Sequence, residues 1–358
     1  MVDEEELAKI REALDAADAA LVAALDDRAK AIERFVALRE RHPEAYHSLP
    51  SAAEVVERAL ERVKAFPREP LETALREVLG ACARMVAPVE VAVLGPEAGF
   101  AQVAAQHHFG SSAEIHAQET VGEVFEDVER NRVSYGVVPF ETSSDGALAA
   151  TVDELARSES RICAEITIPN TYDLVSKTGN AADVEKIYAT PNAAAACEAN
   201  LQDDFPRATI LDVKSGRIGA ELAKEDHGAA AIVAGWSEDD PDGLRLVKDR
   251  IEDRTGVETR FVVIGHERPP RTGTDRTILA LAVGDEPGSL HKALQPFADR
   301  GINLTRIESR PARGQSWRYL FIVELDGHVT DRSVLTAVDE VRGASRHVKI
   351  LGSFPRPV

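Results

Sequence analysis

Between residues 3 and 41, Leu7, Ile10, Leu14, Leu21, Leu25, Ile32, Phe35 and Leu38 recur at helical spacing with charged residues between them. The spacing predicts one long helix, ended by Pro43 and Pro50 in "RHPEAYHSLPS", since neither proline can continue it. Two shorter helices follow, over about 51–65 and 69–86. A lone helix of that length would leave its apolar stripe in water. It is therefore expected to pack against the two shorter ones and against a second copy of the chain.

From "APVEVAVLGPEAGF" onward the period shortens. Val89–Leu94 reads as a strand, Gly95-Pro96 as a turn, and a helix comes next. Strand and helix patterns then alternate through "VSYGVVPFE", "ALAATVDELARS", "ICAEITI", "YDLVS", "KIYAT", "AAAACEANL", "TILDV", "IGAELAKE", "AAAIVAG" and "TRFVVIG". That alternation predicts an α/β domain with a substantially parallel sheet, and ligands where loops leave the carboxyl ends of strands. "HERPPRTGTDR" is a linker by its proline, glycine and charge content. Beyond it, the order β-α-β-β-α-β is ferredoxin-like. In that module Leu304 and Ile307 are expected on one strand and Trp317 to Leu325 on the next. The expected domains are 1–88, 89–268 and 274–358.

Net charge changes the picture by exclusion. At −19 over 358 residues, the chain lacks the cationic surface that nucleic acid requires. No apolar run approaches a membrane span, and the acidic "MVDEEELAKI" resembles no secretory or transit peptide. Cys82, Cys163 and Cys197 lie far apart, without metal or disulfide spacing. A cytoplasmic protein without metal or cofactor is expected, since "GPEAGF" lacks a phosphate-binding spacing.

Against so acidic a background, cations in apolar stripes stand out. Arg28 interrupts the series Leu21, Leu25, Ile32, and Arg39 lies eleven residues further on. That is almost three turns, so both face one side, roughly 16 Å apart, while Arg11 points elsewhere. The pair either converges on an anion or forms interhelical ion pairs. Lys214, Ser215 and Arg217 open a helix and either hold a carboxylate or form a solvated loop. A helix start after Pro287-Gly288 offers free N–H groups to a carboxylate.

These three parts, in this order, resemble the bifunctional chorismate mutase–prephenate dehydratase family over essentially the whole chain. The resemblance implies an all-α helical N-terminal domain, an α/β two-subdomain domain like a periplasmic binding protein, and a C-terminal ferredoxin-like α+β ACT domain. In "PGSLHKALQPFADRGINLTRIESRP", Gly288, Ser289 and Leu290, with Glu308, Ser309, Arg310 and Pro311, fall on the ACT motifs that bind phenylalanine between paired modules. A homodimer or homotetramer with L-phenylalanine as effector is implied. "VAVLGPEAGF", "YGVVPFETSSDGAL" and "TRFVVIG" match the dehydratase segment. The catalytic threonine then falls on Thr259, with Phe100, Glu141, Thr142, Ser143, Ser215, Arg260 and Phe261 around a small-molecule ring acid. Expelling hydroxide needs a donor against the leaving oxygen. Arg11, Arg28 and Arg39 fall on mutase positions, where two carboxylates must be clamped and an ether oxygen given a donor.

The chain departs from the family pattern at several points. Ala98-Gly99-Phe100-Ala101 lacks two hydroxyls of the usual motif, Glu141-Thr142-Ser143 stands for Glu-Asn-Ser, and Ala189-Thr190-Pro191 for Ser-His-Pro. Val257 replaces a polar residue. In the helical part Ser48, Ser51, Ala52 and Val86 (or its neighbour Arg84) stand at polar or charged family positions, and Arg39 at a lysine. The expected function is prephenate dehydratase in phenylalanine biosynthesis. A divergent enzyme on a related cyclohexadiene, such as a non-aromatising decarboxylase, and a non-catalytic phenylalanine sensor are the alternatives.

Overall fold

The computed structural model describes residues 4–41, 52–86, 89–144, 146–235, 243–311 and 319–356. It divides into two compact units, residues 1–89 with 109–114, and residues 90–108 with 115–358.

The first unit holds α1 (Glu4–Arg41), α2 (Ala52–Arg62) and α3 (Arg68–Val86). Ile32, Val56, Leu79 and Cys82 are its buried apolar residues. The 109–114 turn is tied to α3: the Ser111 N–H and hydroxyl donate to the Glu77 carboxylate, the hydroxyl at 2.7 Å. Gly80 is needed here, because a Cβ would sit 2.3 Å from the Phe109 carbonyl oxygen. The N-terminal half of α1 behaves otherwise than expected of an intrachain core. Leu14 is 59% and Leu21 61% exposed, with Leu7, Ile10, Val22 and Leu25 also on the surface. No element of the described chain covers that stripe.

The second unit begins with β1 (Glu90–Leu94), α4 (Phe100–Phe109), β2 (Glu114–Gln118), α5 (Val121–Glu129), β3 (Tyr135–Thr142), β4 (Gly146–Ala147), α6 (Ala149–Arg157) and β5 (Arg161–Pro169). The chain then builds a second sheet from β6 (Tyr172–Ser176), β7 (Lys186–Ala189), β8 (Thr209–Asp212) and β9 (Ala229–Ala234). The helices α7 (Pro191–Ala196), α8 (Glu198–Asp204) and α9 (Gly216–Glu225) lie between these strands in sequence, and β10 (Arg245–Lys248) completes the sheet. It returns to the first sheet through β11 (Glu258–Gly265). The ferredoxin-like part follows as β12 (Asp275–Ala282), α10 (Ser289–Ala298), β13 (Leu304–Pro311), β14 (Tyr319–Asp326), α11 (Arg332–Ala344) and β15 (His347–Pro355).

One sheet runs β13-β14-β12-β15-β5-β11-β3-β1-β2, the other β10-β6-β9-β7-β8. Both are mixed rather than substantially parallel. β1 pairs parallel with β3 and β7 with β8 and β9, but β11 is antiparallel to both β3 and β5. The reason is that β5 and β11 are the two crossings between the sheets and run opposite ways. β12 and β14 show period two on both faces. Ile278, Ala280 and Ile322 join the core of the first sheet with Ile162, Val262 and Ile264. Leu279, Leu281, Val323 and Leu325 pack beneath α10 and α11. The ferredoxin-like part thus shares a core with the α/β part. At the seam, Gly352 pairs with Ile162, where a Cβ would lie 2.4 Å from the Ile162 oxygen.

Ile307 does not share a face with Leu304. It is 46% exposed on the opposite side of β13, as a spacing of three in a strand requires. Trp317 lies outside the described residues. Among the described residues no helix is long and apolar enough to cross a membrane, and no cluster of His, Cys, Asp or Glu could hold a metal ion.

Candidate active site

The second sheet joins the first at two adjacent points, where β5 ends and β11 begins. The Asn170 N–H donates to the Val257 carbonyl at 2.8 Å, locking the crossings side by side. Thr259, the second residue of β11, lies opposite Ile168 on one side and Thr142 on the other. It is 5% exposed, and its hydroxyl donates to Asn170 Oδ1 at 2.8 Å. Two residues past Asn170, the Tyr172 ring meets Phe100 edge-on with centroids 5.0 Å apart. Tyr172 stays a neutral phenol, its pKa pushed up to about 12 by burial and by the acidic groups of Cys197 and Glu252. The Phe100–Tyr172 contact and the Thr259–Asn170 bond are thus linked through the short segment from Asn170 to Tyr172, where the chain passes from one sheet to the other.

Two loops meet ahead of α4 and α9. Gly216 lies near the Ala98 carbonyl, and Arg217 Nη1 stands 3.8 Å from Glu97. Ala98 holds a left-handed backbone, φ 58°, with its N–H donating to Gln102 Oε1. That conformation strains any residue with a Cβ by about 1–2 kcal/mol. Ser215 is the N-cap of α9, its oxygen accepting from the Ile218 N–H at 3.2 Å. It is 5% exposed, and its own O–H proton is not consumed by that bond. Thr190 caps α7 in the same manner. Thr142 Oγ1 lies 3.3 Å from Ser144 Oγ, and Ser143 Oγ accepts from the Glu258 N–H at 3.0 Å.

Three of the expected site residues have partners within the fold. Phe261 is 3% exposed and belongs to the sheet interior. Glu141 and Arg260 enter a charge cluster. Arg260 Nη2 donates to Glu324 Oε1 at 2.5 Å and Nη1 to Glu165 and Glu324 at 3.0 Å each. Its Nε lies 2.8 Å from Glu141 Oε1 but off the hydrogen-bond direction, an ion pair rather than a bond. Its guanidinium also stacks over Phe140, 4.9 Å from the ring centroid. Arg276 Nη1 donates to both Glu165 oxygens, at 2.6 and 2.7 Å. Arg306 pairs with Glu141 and, through Nη2, with Glu308 at 2.6 Å. Burial pulls the Arg260 pKa down, but Glu324 and Glu165 more than offset this and raise it. Arg260 is thus occupied as a permanent cation.

The ferredoxin-like motifs are placed as follows. Gly288, at φ 82°, is the N-cap of α10, with Ser289 and Leu290 in its first turn. Along β13, Glu308 and Arg310 are half-buried while Ser309 and Pro311 are exposed. Arg310 Nη1 is buried with no hydrogen-bond partner among the described residues.

In the helical unit, a cavity of about 800 Å³ is lined by Arg28, Arg58, Arg62, Ile32, Leu79 and Val86, among others. Arg28 Nε is buried there without a hydrogen-bond partner among the described residues. Arg11 is exposed on α1. Arg84 is turned to Glu114, 3.6 Å away, rather than to the cavity. Ser48, Ser51 and the side chains of Arg39 and Ala52 lie outside the described residues. Arg58 and Arg62 were not anticipated. One turn apart, they share a helix face, a spacing that could have signalled them.

The prephenate dehydratase family matches residues 91–269 and the ACT domain family residues 276–343. The chain is 35% identical over 360 aligned residues to the bifunctional chorismate mutase/prephenate dehydratase of Aquifex aeolicus, covering 98% of each. With the protein of the same description from Pseudomonas aeruginosa it shares 30% identity over the full length of both. The crystal structure of the Arthrobacter aurescens prephenate dehydratase in complex with L-Phe superposes with a TM-score of 0.64 at 32% identity, over 75% of this chain and 90% of that one. With identity of this order along its whole length, the chain belongs to the bifunctional chorismate mutase/prephenate dehydratase family.

Proposed function

We propose that the chain converts prephenate to phenylpyruvate, carbon dioxide and water, and that L-phenylalanine bound to the ACT domain controls the rate. The observation that carries this reading is the Thr259 hydroxyl, nearly buried where the two sheets join and bonded to one side chain. The reaction breaks the bond to the ring carboxylate and moves its electron pair into the ring. The ring C–O bond then breaks toward oxygen. With one proton taken up, prephenate dianion gives phenylpyruvate monoanion, carbon dioxide and water. Aromaticity drives it, and the barrier lies in the charge gathering on the departing oxygen, which a fixed O–H donor stabilises.

Phe100, Thr142, Ser143 and Ser215 contribute the surrounding surface. Glu141 and Arg260 support the floor beneath Thr259 instead of gripping substrate, and Phe261 is packing. Lys214 and Arg217, which flank Ser215 at the start of α9, are the cations this reading assigns to a substrate carboxylate. Control by phenylalanine has a physical route: Glu308 on the effector strand is paired to Arg306, Arg306 to Glu141, and Glu141 to Arg260 beside Thr259. The purified chain, given prephenate with and without phenylalanine, should form phenylpyruvate at a rate the amino acid changes. A non-aromatic product would point to a decarboxylase, and phenylalanine binding without turnover to a sensor.

For the helical unit, rearrangement of chorismate is the matching proposal, with Arg28, Arg58 and Arg62 as cations for its two carboxylates and Arg11 and Arg39 as further contributors. Such a reaction needs clamping, not acid or base. Replacing Arg28 by alanine should lower chorismate consumption by the full chain about 100-fold, at the 1.5–3 kcal/mol scale of a charged hydrogen bond. Dehydration of added prephenate should be unaffected.

The uncovered α1 stripe fits a second copy, giving a homodimer or homotetramer. Leu14→Asp combined with Leu21→Asp should reduce the mass measured by light scattering, to a monomer from a homodimer or to a dimer from a homotetramer. An unchanged mass would remove α1 from the interface.

A further inference from the structure

The hydrogen bond that marks Thr259 is also an obstacle. The threonine proton is directed at the Asn170 carboxamide oxygen, with the two oxygens 2.8 Å apart. A proton held there cannot serve a departing hydroxide. A carboxamide carries an acceptor on one side and two donors on the other, so a half-turn about its last bond exchanges them. After the turn, Nδ2 donates to Thr259 Oγ1, and the threonine O–H is released to point elsewhere. The Asn170 backbone is held meanwhile by its N–H bond to the Val257 carbonyl. No second side-chain hydrogen bond of Asn170 occurs among the described residues, so the turn breaks nothing else. Asn170 is half-buried, next to the Phe100–Tyr172 contact.

We propose that Asn170 is a positioning residue for the dehydration: its carboxamide turns when prephenate binds, and Nδ2 then holds the Thr259 oxygen while the Thr259 O–H is aimed at the departing ring hydroxyl. This rests on Thr259 being the donor. The proton that completes the water is replaced from solvent, so neither residue is changed at the end of a cycle.

The side chain that separates this role from a merely structural one is aspartate. It has the shape of asparagine, but when ionised it only accepts, and so keeps the threonine proton. With an ordinary carboxyl pKa of about 3.9, roughly one molecule in a thousand is a donor at pH 7. Full-length Asn170→Asp is expected to lose about 100-fold or more in kcat on prephenate at pH 7.5, with KM within about threefold. The ratio of its kcat to that of the wild type should climb about tenfold per pH unit as pH falls from 8 to 6, each rate read against an enzyme-free control. Asn170→Ala should lose about tenfold in kcat, with a ratio that does not vary with pH. An Asn170→Asp ratio independent of pH, or wild-type kcat in Asn170→Ala, overturns the proposal, and the alanine variant decides if the aspartate variant fails to fold. Thr259→Ala run alongside separates the two ideas. Full turnover there removes Thr259 and Asn170 together, whereas loss there with Asn170→Asp untouched removes Asn170 alone.

Discussion

Thr259→Ala is expected to lower kcat for phenylpyruvate formation by about 100- to 1,000-fold, the usual cost of deleting one fixed donor to a developing oxyanion. KM should change little, because the hydroxyl matters most when the C–O bond is breaking. Thr259→Ser keeps the O–H but loses the methyl group that fixes the rotamer, and should retain most of the rate. Stability offers the internal control. Thr259 is 5% exposed in a strand paired on both sides, so the alanine costs about 1 kcal/mol for the lost bond to Asn170, too little to unfold a domain. Phenylpyruvate formed by Thr259→Ala at the wild-type rate would take the reaction away from this residue. The departures around the site make the test sharper. Gly99, Ala101, Val257 and Ala189 carry no polar side chain where the family pattern has one. The donors that remain are few, and each should matter correspondingly more.

Most helices, most strands and the ferredoxin-like order were legible in the sequence, because each rests on local periodicity, whereas α5 was not read. The mixed sheets were not legible. An apolar run such as "TRFVVIG" reads alike in a parallel or antiparallel ladder, and direction is fixed only by which sheet the chain returns to. Asn170 was hidden for a related reason. It sits between two strands, directly after Pro169, where an asparagine reads as an ordinary turn residue. Its meaning comes from Thr259, far away in the chain. The charge cluster did leave a trace. Glu165 in "ICAEITI", Arg260 in "TRFVVIG" and Glu324 in "YLFIVELDG" are each a lone charge in an apolar strand, and charges so placed need partners. For Glu141 and Arg260, which the family motifs place at the substrate, these partners within the fold are what the motifs alone do not show.

Glu324→Gln is the second large effect expected. Glu324 is 2% and Glu165 7% exposed, and with Glu141 they offset the charges of Arg260, Arg276 and Arg306, while Glu308 adds a fourth carboxylate at the margin. Replacing this buried carboxylate takes from Arg260 its bidentate partner and part of its counter-charge, and breaking a buried pair typically costs about 3–5 kcal/mol. The full chain should therefore denature at clearly lower urea concentration. A double replacement, Arg260→Met with Glu324→Leu, removes charge of both signs and should recover part of that loss, giving a coupling of roughly 2 kcal/mol or more in a double-mutant cycle. The location matters as much as the energy. Glu324 is on β14, the neighbour of effector strand β13, whereas Arg260 follows Thr259 on β11. If the cluster carries the effect of phenylalanine, the double variant should bind the amino acid yet show a prephenate rate that no longer responds to it. A double variant that binds phenylalanine and is regulated as the wild type is would reduce the cluster to a structural rivet. In that case the response would have to travel through the shared core of Ile278, Ile322 and Phe354 instead.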